Sequence, residues 1–176
     1  MTSRRREYCP GGMNGVAWGN VNSVAKGNVN DVAAAGMMAG PKEEDLYEFK
    51  VSTGSRSELV DITAEVRKAV GDSGVADGVC LVFVPHTTAA VTINEGADPA
   101  VRRDIEAELD KIIPWSDGYA HAEGNSAAHI KTSLVGSSEM ILVAGGQLLL
   151  GTWQSVYFCE FDGPRQRRVY VKVTAD

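Results

Sequence analysis

The sequence predicts an α+β protein built from many short strands and two or three helices. Alternating apolar and polar residues recur at 46–52 and 168–173, and this period of two is typical of strands with one buried face. An amphipathic segment at 98–113 that begins Asp-Pro indicates a helix. Gly145-Gly146, between two apolar runs, indicates a β-hairpin.

The composition narrows the class of protein. A chain of 176 residues suits one domain with its own core, and a net charge of −6 argues against a general nucleic-acid binder. No apolar run is long enough to span a bilayer. Cys9, Cys80 and Cys159 are odd in number and far apart, which argues against disulfides and a cysteine zinc site. We therefore expect a cytoplasmic protein that binds neither nucleic acid nor membrane, with Cys80 and Cys159 as inert core thiols.

Residues 1–43 differ from residues 44–176. They contain three early arginines and a tract in which GNVNSVA, at 19–25, recurs as GNVNDVA, at 27–33. So short and glycine-rich a repeat cannot bury a core, and we expect a low-complexity, disordered extension. The arginines leave organelle targeting open. Residues 44–176 are predicted to form a single domain.

The first half of this domain is predicted to contain four strands and one helix. The strands are expected at 46–52, 57–60, 79–84 and 89–93, and the helix at 62–70, followed by a loop at 71–78. Asp61 is placed to accept hydrogen bonds from the free N–H groups of this helix. Ile62, Val66 and Ala69 or Val70 would form its buried stripe.

The clearest helix prediction covers 98–113. Asp98 is a good N-cap, Pro99 suits the first helical position, and Pro114 ends the helix. Arg102 and Glu106 are expected to pair on its exposed face, for about 0.3 kcal/mol. The predicted buried stripe consists of Val101, Ile105, Leu109 and Ile112.

A shorter helix is predicted from Asn125, as its cap, to Val135. Gly136 would end it in the left-handed conformation. The residues expected to face inward are Ala127, Ile130 and Leu134.

The remaining residues are predicted to be strands. The Gly145-Gly146 hairpin is followed by a long strand over 151–161 and, after a DGPR turn, by a strand at 168–173. In the long strand Glu160 shares a face with apolar residues. A buried carboxylate would need a cation to offset desolvation. Three arginines are candidates for it: Arg165, Arg167 and Arg168.

All three histidines, His86, His121 and His129, lie in one segment beside several acids. They suit a divalent metal such as Zn, Mn or Mg. Alternatively, histidines, the helix beginning after Asn125 and the C-terminal arginines suit a phosphate, or the histidines are ordinary surface residues. His86 follows a strand end, where functional side chains are often held. The motifs H-E-x-x-H, G-x-G-x-x-G, G-x-S-x-G and the Walker loop are absent.

Several longer motifs resemble the YjbQ-type family, which carries the label "secondary thiamine-phosphate synthase enzyme". They are HTTAAVTINE at 86–95, DPAVRRD at 98–104, HAEGNSAAHIK at 121–131, LLLGTWQSVYFCEFDGPR at 148–165, and a final RRVYV. The resemblance covers nearly all of 46–173 and implies an antiparallel β-sandwich that forms a homotrimer. It also implies a site between subunits, built from His86, His121, Asn125, His129, Trp153, Gln154, Glu160 and Arg168.

The activity that this resemblance implies is weak joining of a pyrimidine pyrophosphate to a thiazole phosphate, with pyrophosphate released. We expect His86, His129 and Glu160 to be catalytic, the three histidines to be the metal ligands, and a small phosphorylated molecule to be the substrate. Residues matching Asn125, Trp153, Gln154 and Arg168 would bind it. Two alternatives are a metal-dependent hydrolase of a phosphorylated or amide substrate and a non-catalytic ligand-binding trimer.

Overall fold

The computed structural model describes residues 46–176, and the predictions for residues 1–43 lie outside this range. The described part contains eight strands and three helices. In chain order they are β1 (Leu46–Ser52), β2 (Glu58–Asp61), α1 (Thr63–Ser73), β3 (Gly78–Phe83), β4 (Ala89–Glu95), α2 (Pro99–Ile112), α3 (Ser126–Val135), β5 (Ser138–Ala144), β6 (Gln147–Leu148), β7 (Gln154–Glu160) and β8 (Gln166–Ala175). The predicted α+β class is confirmed.

The strands form two antiparallel sheets. One has five strands in the order β1-β8-β3-β5-β6, and the other has three in the order β2-β7-β4. The main core combines the inner face of the larger sheet, including Val82, Val169 and Val171, with Val156 and Phe158 of β7. The sheets therefore bury apolar faces in a shared core, as in a β-sandwich.

Helix α1 closes this core with the predicted stripe of Ile62, Val66, Ala69 and Val70, all of which are buried. Asp61 Oδ1 accepts the N–H of Thr63 at 2.9 Å, as the sequence indicated. The helix continues to Ser73, three residues past the predicted end, because Gly71 stays helical and Gly74 (φ 69°) provides the left-handed stop.

Strand β7 is buried on both faces from Val156 to Glu160, and the predicted alternation is confirmed. Tyr157, Cys159 and Phe161 point away from the main core and join a second cluster with Leu59 and Ala128. Burial raises the pKa of Cys159 to about 12 and that of Cys80 to about 11. Both thiols are therefore protonated near neutral pH, in agreement with an inert core role.

Helix α2 begins as predicted, with Asp98 Oδ1 accepting the N–H of Ala100 at 2.7 Å. Its predicted buried stripe is only partly buried at Val101, Ile105 and Leu109, and it is wrong at Ile112, which is 59 % exposed while Ile113, just past the helix, is buried. The predicted Arg102–Glu106 pair is also absent from residues 46–176. Glu106 instead accepts the backbone N–H of Leu59 at 2.8 Å, which ties α2 to β2.

Helix α3 departs furthest from its prediction. Ile130 and Leu134 are exposed, whereas Ala127, Ala128, Lys131 and Thr132 are buried. Small alanine side chains let the helix lie close to the smaller sheet. Lys131 is buried there because its ammonium group forms an ion pair with Asp110 of α2 and lies 5.9 Å from the centre of the Phe161 ring.

The two ends of α3 also differ from expectation. The side chain of Asn125 makes no capping hydrogen bond, because its Nδ2 donates to Asp162 Oδ2 at 3.1 Å. Gly136 has a positive φ of 106° but an extended ψ of 153°, so it is not left-handed helical. It turns the chain directly into β5.

The glycine hairpin is confirmed, since Gly145 and Gly146 have φ values of 58° and 75° and join Ala144 to Gln147. The strand after it, β6, is shorter than the predicted run. In the described part of the chain, none of the helices has both the length and the apolar character needed to cross a membrane.

Candidate functional site

Polar side chains converge where β3, β7 and β8 end or begin. His86 follows β3, Glu160 ends β7, and Arg167 is the second residue of β8. Antiparallel pairing brings these positions together at one end of the molecule, with Thr88 and the N-terminus of α3 beside them.

The centre of the site is a buried ion pair between Glu160 and Arg167. Nε of Arg167 donates to Glu160 Oε2 at 2.7 Å, and Nη2 donates to Oε1 at 2.6 Å. Glu160 is 0 % exposed and Arg167 is 7 % exposed. This two-point contact fixes the plane of the guanidinium group. Of the three candidate cations for Glu160, the structure places Arg167 against it.

Further hydrogen bonds complete this network. Glu160 Oε1 accepts the N–H groups of Phe161 and Asp162 at 3.1 and 2.9 Å, and Oε2 accepts the hydroxyl of Thr53 at 3.1 Å. Nη2 of Arg167 also donates to Thr88 Oγ1 at 3.0 Å. Both carboxylate oxygens are occupied, whereas Nη1 of Arg167 has no hydrogen-bond partner within residues 46–176. Glu160 therefore orients Arg167, and Arg167 keeps free donors.

The side chain of His86 accepts a backbone hydrogen bond of β8 just beyond the end of β3. If the β3–β8 register continued, Pro85 would lie opposite Arg168; instead, His86 Nε2 accepts the N–H of Arg168 at 3.0 Å. Only an unprotonated nitrogen can accept, so the neutral ring carries its proton on Nδ1. Burial, and then the positive charge of Arg167, lower the pKa of His86 below its ordinary 6.5, against the opposing charge of Glu160. At pH 7 His86 is therefore mainly neutral.

Three neighbouring cavities meet at His129. The first, the histidine cavity, measures about 330 Å³ and includes His86, Thr88, Asn125, His129 and Arg167 in its lining. The second, of about 430 Å³, lies between His86, His129 and the end of α3. The third, the apolar cavity, measures about 350 Å³ and is lined by Tyr119, Ala120, His121, Ser126, His129 and Ile130.

The predicted metal ligands are not assembled within one chain. His121 and His129 lie edge to face with ring centroids 5.4 Å apart, and His121 Nε2 is 3.9 Å from Glu123 Oε2. Across 46–176, no three His, Cys, Asp or Glu side chains are arranged to hold a metal ion. The residues of a single chain therefore do not fit the predicted metal, and the metal stays a prediction.

Two of the predicted substrate-binding residues lie elsewhere. Glu160 and Gln154 are at opposite ends of β7, which at 3.3 Å per residue separates them by about 20 Å. Trp153, next to Gln154, is 65 % exposed. The structure thus brings together His86, Asn125, His129, Glu160 and the backbone of Arg168, and it leaves Trp153 and Gln154 at the far end.

The predicted site did not include several residues that the structure places in it, namely Thr53, Thr88 and Arg167. The alternation of residues along β8 could have predicted that Arg167 faces inward. It shares a strand face with the buried Val169, Val171 and Val173. No local pattern identifies Thr53 or Thr88. Both contact the ion pair only through the tertiary fold.

The family model for UPF0047, YjbQ-like proteins matches residues 47–176. The chain belongs to this family. It is 51 % identical over 131 residues to the UPF0047 protein of Methanocaldococcus jannaschii, a match that covers 74 % of this chain and 95 % of that protein. It is 47 % identical over 129 residues to the UPF0047 protein YugU of Bacillus subtilis, covering 73 % and 98 % of the two chains.

Solved structures of YjbQ-like proteins have the same fold. An uncharacterized YjbQ/UPF0047 protein from Clostridium acetobutylicum superposes with a TM-score of 0.72 at 55 % identity, over 73 % of this chain and 99 % of that one. A YjbQ-like protein of unknown function from Sulfolobus solfataricus superposes with a TM-score of 0.72 at 34 % identity. This match covers 74 % of this chain and 96 % of that one. The family and fold predictions are therefore confirmed.

A substitution at Gly163 tests how tightly the Glu160–Arg167 ion pair is enclosed. A Cβ atom at Gly163 would lie 2.2 Å from the carbonyl oxygen of Ser55 and 2.9 Å from Cγ of Glu160. We expect Gly163→Ala to lower the free energy of unfolding by about 3 kcal/mol, because a backbone oxygen cannot move aside easily. Urea denaturation measures the loss. Gly54→Ala is the control, since its Cβ would meet nothing within 4 Å; equal effects of the two changes would contradict the prediction.

Proposed function

We propose that this YjbQ-family chain is a weak thiamine-phosphate synthase-like transferase. The observation that carries the proposal is Arg167, a buried guanidinium held by Glu160, with free Nη1 donors and a place in the cavity that holds His86 and His129. A cation oriented in advance suits the charge of a departing pyrophosphate. The choice of reaction rests on the resemblance of the motifs at 86–95 and 148–165.

In the proposed reaction, the thiazole nitrogen forms a bond to the pyrimidine carbon that carries the pyrophosphate. The bond from that carbon to oxygen breaks, and pyrophosphate leaves with the electron pair. Such a step needs the two reactants held in line and the leaving charge neutralised. Arg167 supplies a fixed charge, and Thr88 helps to hold it in place.

The apolar cavity supports a substrate with a ring. Tyr119 and Ile130 give it apolar walls, and His129 lines both this cavity and the histidine cavity. A heterocycle on the apolar side would thus lie next to an anionic group on the Arg167 side. This arrangement of apolar walls with few polar groups is common in small-molecule sites.

We assign different roles to the two predicted catalytic histidines. His86 is mainly neutral at pH 7 and holds the Arg168 backbone, so we assign it to orientation and hydrogen bonding. His129, at the meeting point of the cavities, is assigned the proton transfer to the leaving group. Glu160 acts through Arg167 as a positioning residue.

We further propose that the complete site forms between subunits of a homotrimer. Trp153 and Gln154 lie about 20 Å from Glu160 along β7, so one chain cannot supply both ends of the family's residue set. The outer face of the larger sheet also carries exposed apolar side chains, which favours contact with another copy. They are Leu81, Phe83, Met140 and Leu142.

Turnover of the purified chain tests the proposed function. We expect slow formation of thiamine phosphate, and we expect His129→Ala to lower kcat by about 10²–10⁴-fold because it removes the proton donor. His121→Ala is the matched control, since it removes a more exposed imidazole from the same apolar cavity; we expect a change of less than about five-fold, because no proton passes through it. Product formation is measured by chromatography at saturating substrate.

Three results would count against the proposal. They are no thiamine phosphate from the unaltered chain, full activity in His129→Ala, and equal losses in the two histidine variants. Ligand binding without turnover would favour the non-catalytic trimer instead. Metal analysis of protein purified without a histidine tag tests the cofactor prediction separately, because joint loss of metal and activity in His86→Ala would support it.

A further inference from the structure

A group of basic side chains lies beside the histidine cavity, on the other side of Arg167. Lys50 of β1 and Arg168 of β8 are directly opposite each other in the antiparallel pairing, and both are exposed. Like charges in this position destabilise a sheet. Such a pair is stabilised when an anion lies between the two side chains.

The protein supplies little negative charge to offset this pair. Lys50, Arg167 and Arg168 line a cavity of about 370 Å³, the rim cavity, together with Glu48 and Gln166. The charge of Arg167 is already offset by Glu160, so Lys50, Arg168 and the carboxylate of Glu48 leave the lining with a net charge of +1 (2 − 1), in a chain whose net charge is −6. Neither Lys50, Arg168 nor Glu48 takes part in any ion pair within the described residues.

The rim cavity lies next to the proposed catalytic site, on the face of β8 opposite the Arg167 side chain. Arg167 lines both this cavity and the histidine cavity, and the N–H of Arg168 is held by His86. Arg168 is therefore held by His86 through its backbone and faces Lys50 on the neighbouring strand, about 4.8 Å away.

We propose that Lys50 and Arg168 form a binding site for a phosphoryl group in the rim cavity. The ligand class is the phosphate or pyrophosphate end of a small phosphorylated molecule. Arginine offers paired donors to such a group and lysine a compact point charge. This inference deepens the proposed function, on which it rests for the identity of the substrate, and it makes Lys50 a specificity-determining residue.

Calorimetric titration of the full chain with inorganic pyrophosphate tests this site. We expect Lys50→Ala to weaken binding about ten-fold at low salt, through loss of one direct charge contact. Lys172→Ala is the matched control. Lys172 lies on the same strand as Arg168 but opposite Leu46 and Leu81, and the substitution changes the net charge equally, so we expect less than about a two-fold change.

Equal weakening by Lys50→Ala and Lys172→Ala would overturn the inference, because the effect would then be one of general charge. Failure of the unaltered chain to bind pyrophosphate would also overturn it. The proposed function fails separately: pyrophosphate binding that depends on Lys50, without any thiamine phosphate formed, supports the rim site and refutes the synthase. Turnover with pyrophosphate inhibition that is insensitive to Lys50→Ala supports the synthase and refutes the rim site.

Discussion

Arg167→Met is expected to lower the free energy of unfolding by about 3–5 kcal/mol, because it leaves a carboxylate buried without its cation. Glu160 is completely buried, and its other partners are backbone N–H groups and one hydroxyl. These are too weak to compensate for the loss of two charged hydrogen bonds. Chemical denaturation of the variant and of the unaltered chain measures the difference.

Two further variants separate the ion pair from ordinary packing. Arg168→Met removes the adjacent exposed arginine and should change stability by less than about 0.5 kcal/mol. The double variant Glu160→Gln with Arg167→Met should be more stable than Arg167→Met alone, because the second change removes the buried charge. A loss below about 1 kcal/mol in Arg167→Met would show that the pair does not hold this end of the fold.

Co-expression of His129→Ala and Trp153→Ala is expected to restore activity that neither variant has alone. If one subunit supplies His129 and its neighbour supplies Trp153, random mixing leaves both residues intact at about one interface in four. The mixed protein should therefore recover roughly a quarter of the unaltered activity. Trp153 is 65 % exposed, so its removal should leave the fold of each chain intact.

The control for this experiment combines His129→Ala with His86→Ala. Both residues line the same cavities in one chain, so no mixed assembly contains a site with both intact, and activity should not return. Equal recovery in the two mixtures, or none in either, would refute a site divided between subunits in the proposed way. Thiamine phosphate formation is the measured quantity in both cases.

Local patterns in the sequence predicted most of the fold. The Asp98-Pro99 start of α2, the Gly145-Gly146 hairpin and the alternation along β7 each depend on neighbouring residues alone. Predictions failed where a tertiary partner decides burial. Lys131 is buried because Asp110, on another helix, pairs with it, and nothing in the sequence around Lys131 shows that partner.

The candidate site was predictable to a similar degree. The concentration of histidines predicted a site at the end of the molecule where the structure places the Glu160–Arg167 pair, and the apolar neighbours of Glu160 predicted its need for a cation. The partner of Glu160 among the three arginines follows from the alternation along β8, because Arg167 faces inward like Val169. The separation of Trp153 from Glu160 follows from simple strand geometry. By contrast, the displacement of the Asn125 side chain from its capping position depends on Asp162, 37 residues away.

Strand β7 contributes to both hydrophobic clusters, and this ties the stability of one to that of the other. Val156 and Phe158 belong to the cluster between the sheets, and Tyr157 and Cys159 to the cluster beneath α2 and α3. One cluster cannot unfold while β7 remains packed in the other, because both clusters need residues of this strand. Partial unfolding that spares half of the domain is therefore unfavourable, and the domain gains the all-or-none cooperativity typical of small proteins. The strand that gives the domain this cooperativity ends in Glu160, so Arg167 keeps its orientation for as long as the domain remains folded.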